Sequence, residues 1–187
     1  KTGRVNNVGN AISVNVPESY RRGVEVVGGL RLFEKVDWQA NATFSQNKIL
    51  DYTEYTDNWD TGIQNENFLG ETNISFSPEV IVGSQISYMP FEGFEVAFIS
   101  KYIGEQYIDN SSASDRMLDA YFVSNLRFNY HFKTKWIKGI DVQFAINNIF
   151  NEEYESNAWV YRYSLGGEYY NMDGYFPQAG TNFMGGC

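Results

Sequence analysis

Apolar and polar residues alternate in short runs along most of the chain. Between Tyr20 and Leu32, Val24, Val26, Gly28, Leu30 and Leu32 fall on one side and Glu25, Val27, Gly29 and Arg31 on the other. Trp38, Ala40, Ala42 and Phe44 then oppose Gln39, Asn41, Thr43 and Ser45. Val80, Val82, Ile86 and Tyr88 oppose Gly83, Gln85 and Ser87, and Phe94, Val96, Phe98 and Tyr102 oppose Glu95, Ala97 and Lys101. The split recurs with Phe122, Leu126, Phe128, Tyr130 and Phe132 against Asn125, Arg127, Asn129 and His131. Ile140, Val142, Phe144 and Ile146 against Asp141, Gln143 and Asn147 complete the series. A period of two predicts strands with unlike faces. One more strand is expected within Gly174–Cys187, making about seven. No helical periodicity of useful length occurs.

The connections alternate in length. Phe33–Asp37, Met89–Gly93 and Lys133–Gly139 are short, whereas about Gln46–Pro78, Gly104–Asp119 and Asn151–Tyr175 are long. The first part of Gln46–Pro78 extends the strand before it; the rest reads as polar, acidic loop. Residues 1–19 read as a loop rich in Asn and Gly. Short turns on one side and long loops on the other are the habit of outer-membrane barrels. Runs of about 10 residues suit a tilted membrane crossing better than the shorter strands of soluble sheets. Trp38, Tyr88, Tyr102, Tyr130 and Trp136 near strand ends fit an aromatic girdle. The expected fold is all-β, with antiparallel up-and-down strands. A soluble sandwich also has one wet and one dry face; it would bury Phe122, Phe128 and Phe144 in a dry core.

Composition narrows the classes. No stretch of 18 apolar residues exists, which excludes a transmembrane helix but not a barrel, whose alternating strands keep average hydropathy low. Aromatics make up 17% of the chain, enough to supply girdles at two membrane surfaces. A net charge of −9 argues against nucleic acid, whose binding rests on clustered Lys and Arg. The single cysteine, Cys187, leaves no disulfide framework and no CxxC site. The N-terminus carries no apolar signal segment, so the chain is expected to begin inside a longer protein.

Several motifs carry a family resemblance. Asn147-Asn148-Ile149-Phe150-Asn151-Glu152-Glu153-Tyr154 and Pro177-Gln178-Ala179-Gly180 resemble the end of the next-to-last strand and the lead-in to the last strand of TonB-dependent outer-membrane receptors. Ser19-Tyr20-Arg21-Arg22-Gly23-Val24-Glu25 is similar to their entry into a mid-barrel strand, and Trp38–Phe44 to the strand after it. Phe76-Ser77-Pro78, Tyr102-Ile103-Gly104 and Leu118–Phe122 follow in the family's order, with wording most like receptors of the Bacteroidetes type. The resemblance implies that residues 1–187 are the C-terminal part of a 22-stranded barrel, without its plug domain. It implies a Gram-negative outer-membrane location and uptake of a scarce nutrient, a ferric siderophore first, cobalamin or a glycan after it. Implied partners are outer-membrane lipid, TonB through an N-terminal region outside this chain, and a surface lipoprotein. No cofactor and no chemical step are implied. An open set of seven strands has unpaired edges, which lipid does not tolerate, so the segment needs the rest of a barrel. The rival functional classes are a passive porin or adhesin barrel and a soluble carbohydrate-binding sandwich.

Candidate site residues lie in the long connections. Trp59, Tyr107, Trp159, Tyr161, Tyr163, Tyr169 and Tyr170 are candidates for stacking on a siderophore or sugar. The alternative is a β-rich loop whose rings pack on one another. His131 is the only histidine, and a structural metal site needs more ligands than its surroundings offer. Asp57, Asp60, Asp109, Asp115, Glu152, Glu153 and Glu155 lack EF-hand spacing and read as solvated acidic surface. No catalytic residue is suggested: GxSxG, HExxH and strand-led phosphate loops are all missing.

Overall fold

A computed structural model describes residue 16 and residues 18–187. Most of the expected N-terminal loop, residues 1–15 and 17, lies outside them. The strands are β1 (Ser19–Leu32), β2 (Val36–Asn58), β3 (Gln64–Asn73), β4 (Val80–Phe91), β5 (Phe94–Ile103), β6 (Gln106–Tyr107), β7 (Met117–Leu118), β8 (Tyr121–Phe132), β9 (Ile140–Asn147), β10 (Glu155–Leu165), β11 (Glu168–Pro177) and β12 (Asn182–Gly186). Among the described residues there is no helix. β1, β2, β4, β5, β8, β9 and β12 lie side by side in one curled antiparallel sheet. These lie where the alternation predicts strands; β3, β10 and β11, in stretches expected to be loop, join the same sheet and bring it to ten strands among the described residues.

Register makes the two faces continuous. Leu30, Trp38, Ile86, Phe98, Leu126, Ile146 and Phe183 form one row across the sheet, strand to strand. The row through Gln39, Gln85, Ile99 and Asn125 runs on the opposite face beside it. Among the described residues no second sheet covers the apolar face: Phe122 stays 47% exposed and Phe144 42% exposed. A soluble sandwich, which would bury both rings, is therefore not the architecture. Phe91, Phe94, Tyr130 and Phe132 cluster at the short-turn end, with ring centroids 5.1 to 6.2 Å apart. This is where a girdle belongs.

The long connections are more ordered than the polar, acidic sequence suggests. β2 runs on for 23 residues, extending past Gln46 as expected, and turns back as β3, so the polar, acidic part read as loop is largely a hairpin. The last long connection is also a hairpin, β10–β11, turning on Gly166 and Gly167, both at positive φ. That Gly-Gly pair between alternating residues is a hairpin signal in its own right. The final strand begins only at Asn182, because Gly174–Pro177 belongs to β11.

The motif around Asn148 has a mechanical role. Asn148 sits at positive φ, a conformation Asn tolerates, and is 3% exposed. Its side chain donates to the carbonyls of Glu152 and Ala179 and accepts from the Glu152 N–H. Thr181 donates its hydroxyl to the Asn148 carbonyl. One buried amide thus ties the exit of β9 to the Pro-Gln-Ala-Gly turn before β12.

Gly93 turns β4 into β5 at φ +82°, and a Cβ there would lie 2.2 Å from the His131 carbonyl oxygen. That carbonyl belongs to a tight pair, since the His131 N–H donates to the Gly93 carbonyl at 2.7 Å. Gly93→Ala is expected to cost about 2–3 kcal/mol, from strained φ and displaced backbone together. A lower midpoint of thermal or urea unfolding of the full receptor checks it.

Candidate ligand-binding site

The long connections dock on one another. β10 pairs in parallel with the tip of β2, setting Tyr163 beside Asp57 and Ser164 beside Asn58. The Trp59 N–H donates to the Ser164 carbonyl at 2.9 Å, and the Gly166 N–H donates to Asp60 Oδ2 at 2.7 Å. The segment between β5 and β8 fits beneath. Its Ile108 and Leu118 pack with Ala158 of β10 in a small buried cluster, and Val160 packs on that cluster.

A buried ionic knot holds these pieces. Arg116 is 3% exposed. Its Nη1 donates to Glu54 of β2 at 2.8 Å and to Asp109 at 2.5 Å. Arg162 of β10 approaches the same Glu54 at 3.9 Å. Burial alone pulls the Arg116 guanidinium down, but the Glu54 hydrogen bond and the Asp109, Glu54 and Asp115 charges outweigh it, and the net shift is upward. A register irregularity around Tyr52 makes the geometry possible. Before it Asn47 and Ile49 are the buried residues of β2; after it they are Glu54 and Thr56. Across the two offsetting irregularities on either side of Tyr52 the buried parity of β2 switches, and Glu54 meets Arg116.

Tyr52 is pushed up to about 12, first by burial, then by the Asp109 and Glu54 charges, with Arg116 opposing. Its folded-state value lies above its ordinary 10, so the neutral phenol is the form that folding favours. This contribution is complete below pH 10 and is lost as pH rises through about 12. Tyr52→Phe should flatten the alkaline loss of loop protection, as read by hydrogen exchange between pH 10 and 12.

An aromatic ladder lies on the outward face of the docked hairpins. Trp59 stacks on Tyr163 with centroids 4.0 Å apart and planes at 16°. Tyr163 continues to Tyr170 at 5.5 Å and to Tyr161 at 6.0 Å. Trp59 Nε1 donates to the Tyr161 hydroxyl at 3.2 Å, which donates to Asp57 Oδ2 at 2.6 Å. Burial and then the Asp57 bond raise the Tyr161 phenol above its ordinary value, Trp59 opposing.

The candidates divide accordingly. Trp59, Tyr161, Tyr163 and Tyr170 come together. Trp159 shares their side of β10 but lies farther along, its indole across Gly174. Tyr169 points to the other side, its ring 4.8 Å from the Arg162 guanidinium. Tyr107 stands apart, in a cleft of about 340 Å³ lined also by Lys48, Asn73 and Met117. His131 Nδ1 lies 2.7 Å from Asp141 Oδ1. Among the described residues, no three His, Cys, Asp or Glu side chains gather in a metal-binding arrangement. Sequence reasoning did not single out Arg116 or Glu54, since nothing local marks a pair 62 positions apart.

A curled antiparallel sheet with one apolar and one polar face, short turns at one end and docked hairpins at the other, defines a segment of a membrane-type β-barrel. The family described as TonB dependent receptor-like, beta-barrel, matches residues 2–149, and the chain belongs to it. Three solved structures share the fold. The siderophore receptor PiuA from Acinetobacter baumannii has a TM-score of 0.59 at 14% identity, over 85% of this chain and 20% of its own. The ferric yersiniabactin uptake receptor FyuA from Yersinia pestis has 0.54 at 14%, over 83% and 22%. A mutant of the ferric enterobactin receptor PfeA from Pseudomonas aeruginosa has 0.50 at 18%, over 76% and 19%. The chain therefore spans about a fifth of the length of these receptors. No curated protein matches it.

Proposed function

We propose that this chain is the C-terminal segment of the barrel of an outer-membrane active transporter that takes up a ferric siderophore, energised through TonB. The apolar face meets lipid, the short turns face the periplasm, and the long connections face outward. The remainder of a 22-stranded barrel and the plug come from the rest of the receptor. The observation that carries the reading is the Trp59–Tyr163–Tyr170 stack, exposed at both ends and half-buried at Tyr163, held on docked hairpins at the long-connection end of a family barrel. Flat rings of this kind suit the flat aromatic or conjugated parts of an iron chelate.

Charge narrows the chelate. Residues 49–79, 104–120 and 148–181 together hold sixteen carboxylates and two basic residues, Arg116 and Arg162. Both arginines are engaged with Glu54. The surface around the ladder thus favours a neutral or cationic chelate over a polyanionic one. The test is uptake of radioactive iron by cells carrying or lacking the full receptor, with and without TonB. Receptor- and TonB-dependent uptake from a hydroxamate chelate supports the proposal. Uptake that survives TonB loss would favour a passive barrel, and no effect on iron with an effect on cobalamin or glycan would move the substrate.

A further inference from the structure

The short-turn end carries a feature that transport does not require. The turn between β8 and β9, Lys133-Thr134-Lys135-Trp136-Ile137-Lys138-Gly139, holds three lysines and no acid in a chain of net charge −9. Basic residues are otherwise scarce here: the chain has 14 Lys and Arg in all against 23 Asp and Glu. The turn has a defined shape. The Thr134 N–H donates to the Ile137 carbonyl at 3.1 Å, and the Ile137 N–H donates to Thr134 Oγ1 at 3.0 Å. This closed loop projects Trp136, 89% exposed, and Ile137, 48% exposed. Lys135 Nζ sits 5.8 Å from the Trp136 ring centroid. The nearest acid in sequence, Asp141, is already paired with His131.

Its place in the sheet names the partner. The turn follows directly on Tyr130 and Phe132, members of the aromatic cluster with Phe91 and Phe94. Such rings mark the level of the membrane–water boundary. An indole and an isoleucine beside three ammonium groups, just beyond that level, match a surface that is apolar below and anionic above. We propose that this turn binds the anionic phospholipid headgroups of the periplasmic leaflet, with Lys133, Lys135 and Lys138 on the phosphates and Trp136 at the acyl boundary. The proposal rests on the barrel reading above. Each basic side chain at such a surface contributes roughly a fivefold gain in affinity, which salt weakens.

The test uses the full receptor in detergent, probed by native mass spectrometry with phosphatidylglycerol or phosphatidylcholine. Wild type should retain phosphatidylglycerol in clear excess. Lys133→Gln, Lys135→Gln and Lys138→Gln together should reduce that excess at least tenfold, and Trp136→Ala should lower retention of both lipids. An unchanged preference in the triple variant, with the receptor still inserting into liposomes, overturns this inference alone. Failure of the wild type to insert overturns the barrel reading and this inference with it. A photo-crosslinker at position 137 in cells should yield lipid adducts; a discrete protein adduct would assign the turn to a protein partner instead.

Discussion

Arg116→Ala is expected to free the outer connections from one another while leaving the seven-strand sheet in place. Arg116 is the buried cation that joins Glu54 of β2 to Asp109 of the β5–β8 connection. Removing it leaves Glu54, whose side chain is 10% exposed, with only Arg162 at 3.9 Å. Breaking one partner from a buried pair typically costs about 3–5 kcal/mol, because the remaining charge is left without compensation. The loss falls on a local unit, since the ion-pair partners of Arg116 are Glu54, Asp109 and Asp115 in the long connections. Hydrogen exchange of the full receptor should therefore rise in residues 104–120 and in β10–β11, with little change in β4, β5 and β8. Glu54→Gln, which keeps an acceptor for Arg116, should have a smaller effect. Wild-type protection in the Arg116→Ala variant would show that strand pairing and the Ile108–Leu118–Ala158 cluster hold the unit without the ionic knot.

The second large effect concerns the ladder. Trp59→Ala should weaken binding of a hydroxamate ferric chelate to the full receptor by roughly ten- to a hundredfold, or about 1.5–3 kcal/mol. Trp59 is the terminal ring, it is 52% exposed, and its one stacked neighbour is Tyr163. Tyr163→Phe keeps the stack and should be near neutral. Tyr161→Phe removes the hydroxyl that joins Trp59 to Asp57 and should have an intermediate effect. Binding by tryptophan quenching or calorimetry distinguishes these ranks. Equal affinities for all three variants would mean that the rings serve only to pack the hairpins together. A triply anionic tris-catecholate should bind more weakly than the hydroxamate at low salt, and the difference should shrink as ionic strength rises.

How much of this was legible beforehand follows from the range of each interaction. The period-two split from Val24 to Ile146 is a local property: each residue's side follows from its neighbour's, and the pleat does the rest. The sheet, its two faces, its short-turn end and the motif around Asn148 could be read for that reason. The long connections could not, and their failure is instructive. The later part of Gln46–Pro78 looked like loop because Glu54, Asp57 and Glu66 interrupt any apolar pattern. Glu54 and Asp57 find partners on other segments, Arg116 and Tyr161, and Asp57 also accepts from Gln64 of its own hairpin. The aromatic candidates were visible as residue types, but not that four of them converge while Tyr169 and Tyr107 lie elsewhere.

The sequence by itself determined an all-β chain of seven alternating strands, the end at which the long segments lie, and the family to which they belong. Only the tertiary structure decided that the long segments are hairpins, that the irregularity near Tyr52 turns Glu54 inward, and that β10 crosses to pair in parallel with β2. The physical reason is separation along the chain. Alternation is written residue by residue, whereas Glu54–Arg116 and Trp59–Tyr163 are pairs that exist only once distant segments have folded onto each other.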